Sequence, residues 1–208
     1  MIAPEAFPTR TKLLEAARDV IRTKGYAATS VDDICAAASV SKGSFFHHFA
    51  SKEAMGIAAI EYWNETTQSL FLSQPYMRSD DPRIRVFGYL DLRLALISED
   101  IPGFTCLIGT TVQETYATRP ALRAICESGL ADHVAILARD LDAAKAHHAP
   151  DADWNGAGVG AFIQATLQGA FVLAKAKSDP AVARDCILHL RRYIELLIGA
   201  PDEPTPSP

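Results

Sequence analysis

Thr29–Met55, TSVDDICAAASVSKGSFFHHFASKEAM, reads as two short capped helices joined by a tight turn and followed by the start of a third. Ser30 can cap free backbone N–H groups, and Asp33 completes a Ser-x-x-Asp start signal. Val31, Ile34, Cys35 and Ala38 recur at i, i+3, i+4 and i+7, which makes one apolar stripe that needs a core to cover it. Ser39 and Val40 supply the turn, and Ser41 caps a second helix that runs through Phe49. On a helical wheel Phe45 and Phe49 lie on one side and point inward, whereas Gly43, Ser44, Phe46 and His47 fall on the other. Small, hydroxyl, imidazole and aromatic groups on one face suit close approach to a nucleic-acid groove, with Lys42 at the edge to reach a phosphate. Ser51 and Lys52 open the next helix, whose free N–H groups and positive dipole end form an anion site. The layout is that of a helix-turn-helix.

Working outward, Thr9 to Lys24 carries Leu13, Ala17, Val20 and Ile21 on one side and stops at Gly25. With that helix in place, the segment SVSKGSFFHHFASKEAM resembles the recognition segment of the TetR/AcrR family of bacterial one-component transcriptional regulators. It is similar to that family's Ser-x-Gly-(Ser/Thr)-(Phe/Leu)-Tyr-x-x-Phe-x-(Ser/Asn)-Lys-(Glu/Asp) pattern. Upstream, TKLLEAARDVIRTKGYAATSVDDI fits as well, with Gly25 and Tyr26 where such proteins have Gly-(Tyr/Phe). The motif match covers roughly the first quarter of the chain. One departure matters: Phe46 stands where the family commonly has Tyr, so a phosphate hydrogen bond worth on the order of 1 kcal/mol is lost.

The resemblance implies an all-α fold, with an N-terminal three-helix helix-turn-helix domain in residues 1–54 and a larger helical ligand-binding and dimerisation domain in residues 55–199. It also implies a homodimer on a double-stranded DNA operator, released by a small-molecule inducer of apolar or aromatic character. The DNA contacts expected on this footing are Thr29, Ser30, Ser41, Lys42, Gly43, Ser44, Phe46, His47, His48 and Lys52. Thr29, Ser30, Lys42 and Lys52 go to phosphates, while Ser44, Phe46 and His47 go to base edges or a thymine methyl. One recognition helix reads only one half-site, and a symmetric dimer reads two, about 34 to 36 Å or a multiple apart.

Composition agrees with a globular chain: 49% of the 208 residues are hydrophobic, enough for one sizeable core or two small ones. No uninterrupted apolar run nears 18 residues, and MIAPEAFPTRTK lacks the apolar stretch of a signal peptide, so no membrane insertion or secretion is expected and the cytoplasm is the expected compartment. Cys35, Cys106, Cys126 and Cys186 are scattered without a C-x-x-C pair, which argues against a zinc cage or a disulfide framework. The net charge of −5 divides unevenly. Residues 1–55 hold seven Lys/Arg against six Asp/Glu, or +1, and residues 56–208 hold thirteen against nineteen, or −6. Duplex binding then rests on helix ends, backbone N–H groups and a few cations.

The remainder reads as helix throughout: Ser51 to about Ser73, Pro82 to about Ile97, Cys106 to Tyr116, Pro120 to about Lys145, and two last helices at about Asp153 to Lys177 and Pro180 to Ile198. SQPYMRSDDP and HHAPDAD are loops, IPGF is an interruption, and the tail from Ala200 is too proline-rich to pack and is expected to be disordered. The small residues of the penultimate helix, among them Gly156, Gly160, Ala165 and Gly169, allow close backbone approach, and in regulators of the family this closing pair forms a four-helix bundle with its twin.

For the ligand, the family places apolar and aromatic side chains between the middle helices. The candidates are Tyr89, Arg93, Phe104, Cys106, Gln113, Tyr116, Phe162, Gln168 and Phe171. Cys106 has two readings: a sensor thiol at a helix start, giving a redox- or electrophile-responsive regulator, or a small buried hydrophobe. Gly156-Ala-Gly158-Val-Gly160 lacks the preceding strand and the spacing of a dinucleotide loop. His47-His48 point in different directions and have no second ligand cluster, so neither metal nor cofactor is expected. No nucleophile, base and orienting group assemble, which sets an enzyme or carrier behind a regulator.

Overall fold

The computed structural model describes residues 8–200. Among them the chain is helical, without strands: α1 Thr9–Lys24, α2 Val31–Ala38, α3 Lys42–His48, α4 Lys52–Leu72, α5 Pro82–Ala95, α6 Ile101–Phe104, α7 Leu107–Thr115, α8 Pro120–His148, α9 Gly156–Lys177 and α10 Ala181–Ile198. A 3-10 turn, Pro75–Arg78, lies between α4 and α5. The tail expected to be disordered lies, from Pro201 onward, outside the described residues.

Local chemistry sets the first boundaries. Gly25 ends α1 at φ +89°, a conformation that disfavours any side chain, and its N–H returns to Ile21 O. Ser30 and Asp33 form a reciprocal capping box on α2, and Ser39 closes that helix in the left-handed region. Ser41 accepts from Ser44 N to cap α3, and Ser51 accepts from Ala54 N at the head of α4.

Later boundaries differ from the sequence expectation, beginning with the 3-10 turn inside the segment read as the loop SQPYMRSDDP. IPGF is a single helical turn, α6, too short for periodicity to register. The α8 helix continues through His147 and His148, so these are helical residues; basic groups in a last turn suit the dipole, and Pro150 stops propagation just beyond. Asn155, not Asp153, caps α9 by accepting from Gly158 N.

The described residues form two compact units. The first runs to Thr67 and takes in Thr105–Leu130; the second comprises Gln68–Phe104 and the described chain from Ala131. The helices α4 and α8 contribute residues to both. The first unit packs Leu13, Leu14, Ile21, Ile34, Phe45, Met55 and Ile60 with Leu107 and Leu122 into one core. In the second, α9 packs along α10 and against α6, burying Val159, Ile163, Leu167 and Ala174. By length and composition α9 could cross a bilayer; its buried stripe against α10 is what a core helix also presents.

Candidate nucleic-acid interface and ligand cavity

The α3 helix is held by its aromatic inner face. Phe45 is fully buried and Phe49 nearly so, their rings 5.7 Å apart, and Arg10 lies over the Phe49 ring. That anchorage turns the opposite residues outward. Phe46 is 51% exposed, braced edge-on against Phe45 at 5.2 Å, while Lys42, Gly43 and His47 are exposed and Ser44 and His48 half-buried. A large apolar ring left in water at a helix surface is where an apolar contact such as a thymine methyl would be received.

Gly43 is informative because the fold does not require it. A Cβ there would meet nothing nearer than Ser41 Oγ at 3.8 Å, yet glycine within a helix costs about 1 kcal/mol against alanine. What glycine offers at that position is bare backbone, open to a surface that must come close.

The cations flanking α3 are differently placed. Lys42 pairs with Asp32 at 2.9 Å, both exposed, an arrangement worth at most about 1 kcal/mol and readily exchanged for a phosphate. Lys52 is half-buried: its Nζ donates to Ala27 O and lies 4.4 Å over the Tyr26 ring, and burial lowers its pKa. Ser30 and Ser41 are exposed and serve as caps. Thr29 corrects the sequence expectation of a phosphate contact. It is buried, and its hydroxyl donates to Gly25 O at 2.6 Å, bracing the corner between α1 and α2. The Lys24 ammonium, followed by the Ser30 hydroxyl, holds the Asp33 carboxyl well below the usual carboxylate range, so the capping box carries a charged acceptor.

Within the same unit α1 is tied to the segment around α7. Arg22 stacks 4.9 Å over Trp63 and donates to Thr105 O at 2.8 Å, and Glu114 accepts the Ala27 N–H at 2.6 Å. Sequence reading missed these contacts, which join residues far apart along the chain. Cys106 is half-buried, and its sulfur caps α7 by accepting from Gly109 N at 3.4 Å. Cys126 is buried, which pushes its thiol up to about 12, with Cys106 nearby adding to the effect. Gln113 and Tyr116 are exposed in this unit.

The second unit contains a small cavity, open to solvent, between the end of α4, the 3-10 turn, α5 and α8. Of the residues nominated from sequence only Tyr89 lines it; Arg93 stands one turn along α5, its guanidinium 4.4 Å over Phe71. Phe104 and Phe171 pair with each other at 5.9 Å elsewhere in this unit, Gln168 is half-buried on α9, and Phe162 is exposed against Tyr193. Cys106, Gln113 and Tyr116 belong to the first unit and do not line this cavity. The lining polar groups that sequence reading missed are Gln68, Tyr76, Arg85, His133 and Asp140, together with Gln164 behind them. His133 had a signal: it precedes the inward Leu137 and Leu141 at four-residue intervals. Among the described residues no three His, Cys, Asp or Glu gather as a metal set.

Two family models match the chain. "Bacterial regulatory proteins, tetR family" covers residues 13–59, and "Transcriptional regulator LmrA/YxaF-like, C-terminal domain" covers residues 97–187. The chain is similar to the HTH-type transcriptional repressor DhaR of Mycobacterium sp. (strain GP1), 38% identical over 49% of this chain and 50% of that protein. It is also similar to the transcriptional regulator AcuR of Cereibacter sphaeroides, 33% identical over 59% and 56% respectively. The chain thus spans about half the length of these relatives. Among solved structures, regulatory protein TetR from Rhodobacter sphaeroides superposes with a TM-score of 0.78 at 26% identity, over 89% of this chain and 98% of that one.

Proposed function

Because the chain belongs to the tetR family of bacterial regulatory proteins, we propose that it is a dimeric, ligand-responsive transcriptional repressor, released from a palindromic operator by a small-molecule inducer. The observation that carries the reading is the outward face of α3, where an exposed Phe46, an exposed His47 and a glycine the fold does not need stand together on a helix anchored from behind. Set into a major groove, Ser44, Phe46 and His47 face base edges, with His48 beside them, and Gly43 lets the backbone approach. Lys42 and Lys52, with Ser30, Ser41 and the N-terminus of α4, take phosphates. The protein works in the cytoplasm, on its own cell's DNA. That one relative is named a repressor supports the direction of control.

The partner that supplies the second reading helix is a second copy. On α9 and α10, Phe162, Val172, Leu173, Leu188, Tyr193 and Leu196 are large apolar side chains left exposed, and a Cβ at Gly169 would meet nothing within 4 Å. Such a surface calls for a cover. A ligand in the second unit acts through α4, which contributes residues to both units and whose head carries Lys52. Coupling of about 1 to 3 kcal/mol, five- to 150-fold in affinity, is enough if the ligand prefers one arrangement of the reading heads.

The test is an anisotropy titration of the full chain on a labelled duplex carrying the inverted repeat from upstream of its own gene. The reading expects saturation at two chains per duplex, with affinity that falls steeply as salt rises. Equal affinity for a scrambled duplex refutes it.

A further inference from the structure

One residue lining the cavity of the second unit, Tyr76, carries a hydroxyl that no described residue receives. The cavity's apolar walls come from Phe71, Leu72, Met77, Ile136 and Leu137. Gln68 at the rim is exposed, and, Tyr76 aside, the other polar groups on those walls are engaged. The Tyr89 hydroxyl accepts from Arg93 Nε at 3.0 Å and from Gln164 Nε2 at 3.2 Å, and donates to His133 Nε2 at 2.9 Å. Arg93 also points Nη2 at that nitrogen, 3.3 Å away. A guanidinium can only donate, so Nε2 is the acceptor and the ring proton sits on Nδ1. Arg85 pairs with Asp140 at 2.9 Å and donates to Ser79 O at 2.6 Å.

The Tyr76 hydroxyl is out of contact with solvent and has no hydrogen-bond partner among the described residues. Its ring is seated on purpose-cut space: a Cβ at Gly88 would overlap the Tyr76 ring, so α5 carries glycine where the ring lies. Burial pushes the phenol up to about 12, so it is a proton donor at any physiological pH. A buried donor held in place and left unsatisfied is unfavourable unless something accepts from it.

The charge balance selects the acceptor. Arg85 and Asp140 cancel, Arg93 is engaged with Tyr89 and His133, and burial, with the Arg93 charge adding to it, drives His133 down to about 3 and keeps it neutral. A carboxylate would have to leave water for a single phenol, and an ammonium would find no unpaired carboxylate. We propose that the cavity takes a small, neutral, largely apolar molecule bearing an acceptor such as a carbonyl oxygen that the Tyr76 hydroxyl receives. This ligand class rests on the ligand-responsive reading above.

The probes are acetophenone, ethylbenzene, which has the same outline without the oxygen, and benzoate. Binding to the full chain is measured by saturation-transfer NMR titration. Acetophenone is expected to bind about tenfold more tightly than ethylbenzene, with benzoate weakest. Tyr76→Phe should remove the acetophenone advantage and leave ethylbenzene unchanged, and Gly88→Ala should do the same by displacing the ring. Equal binding of acetophenone and ethylbenzene, tightest binding by benzoate, no binding by any probe, or an acetophenone advantage that survives Tyr76→Phe each overturns the proposal. Should the variants fail to fold, the ranking of the three probes on the natural chain still decides. Release of duplex by acetophenone is followed in parallel: the expected ranking without release upholds the ligand class and refutes the ligand-responsive reading.

Discussion

Mild acid should destabilise this protein through one buried histidine, His133. His133 titrates near its ordinary 6.5 in the unfolded chain and at about 3 in the folded one, because burial and the Arg93 charge disfavour imidazolium. With a depressed folded pKa the contribution is complete above about pH 6.5 and is lost as pH falls towards 3, since only the unfolded chain takes up the proton across that window. The slope is about 1.4 kcal/mol per pH unit, which integrates to about 2 kcal/mol between about pH 7 and about pH 5. Urea unfolding at fixed chain concentration, followed by circular dichroism at a series of pH values, measures it. His133→Gln is the control: its amide can still accept from Tyr89 and does not titrate, so the fall between those pH values should shrink by about 2 kcal/mol in the variant. Equal pH dependence in the two proteins would refute the reasoning, because His133 would then be reached by water or protonated in place.

Three further outcomes follow from particular contacts. Gly25→Ala forces a side chain into a positive-φ position and against the Glu114 carboxylate that holds the Ala27 N–H, and should cost about 1 to 3 kcal/mol in thermal or urea unfolding. Lys42→Ala should weaken binding to every duplex and reduce the slope of log affinity against log salt by about one; its exposed pairing with Asp32 is too weak to hide the loss. Leu196, 86% exposed on α10, is a test of the covered face: Leu196→Glu should convert dimer to monomer in sedimentation at micromolar concentration while leaving helical content intact, and an unchanged dimer would move the interface elsewhere.

What could be read in the sequence was what is local. Ser30, Asp33 and Ser41 announce helix starts through hydrogen bonds three residues away, and the Phe45/Phe49 interval fixes which face of α3 is buried, so the reading head was legible down to its exposed side chains. Thr29 was misassigned because a hydroxyl at a helix start looks alike whether it faces solvent or turns back to Gly25. The cavity was mostly illegible. Tyr76 lies in a segment read as loop, Arg85 and Asp140 meet from α5 and α8, and which glutamine reaches Tyr89, Gln164 or Gln168, depends on the rotation of α9 against its neighbours. Periodicity gives each helix a buried stripe but not the partner that stripe meets.

The most direct test of the central claim, that the outer face of α3 reads double-stranded DNA from the major groove, is dimethyl sulfate protection of an operator duplex by the full chain. Guanine N7 lies in the major groove and adenine N3 in the minor. The account predicts guanine protection in two patches about one helical turn, or a multiple, apart, appearing on one and the same titration as binding itself. Protection confined to adenines, or a bound duplex whose guanines all remain reactive, would contradict it.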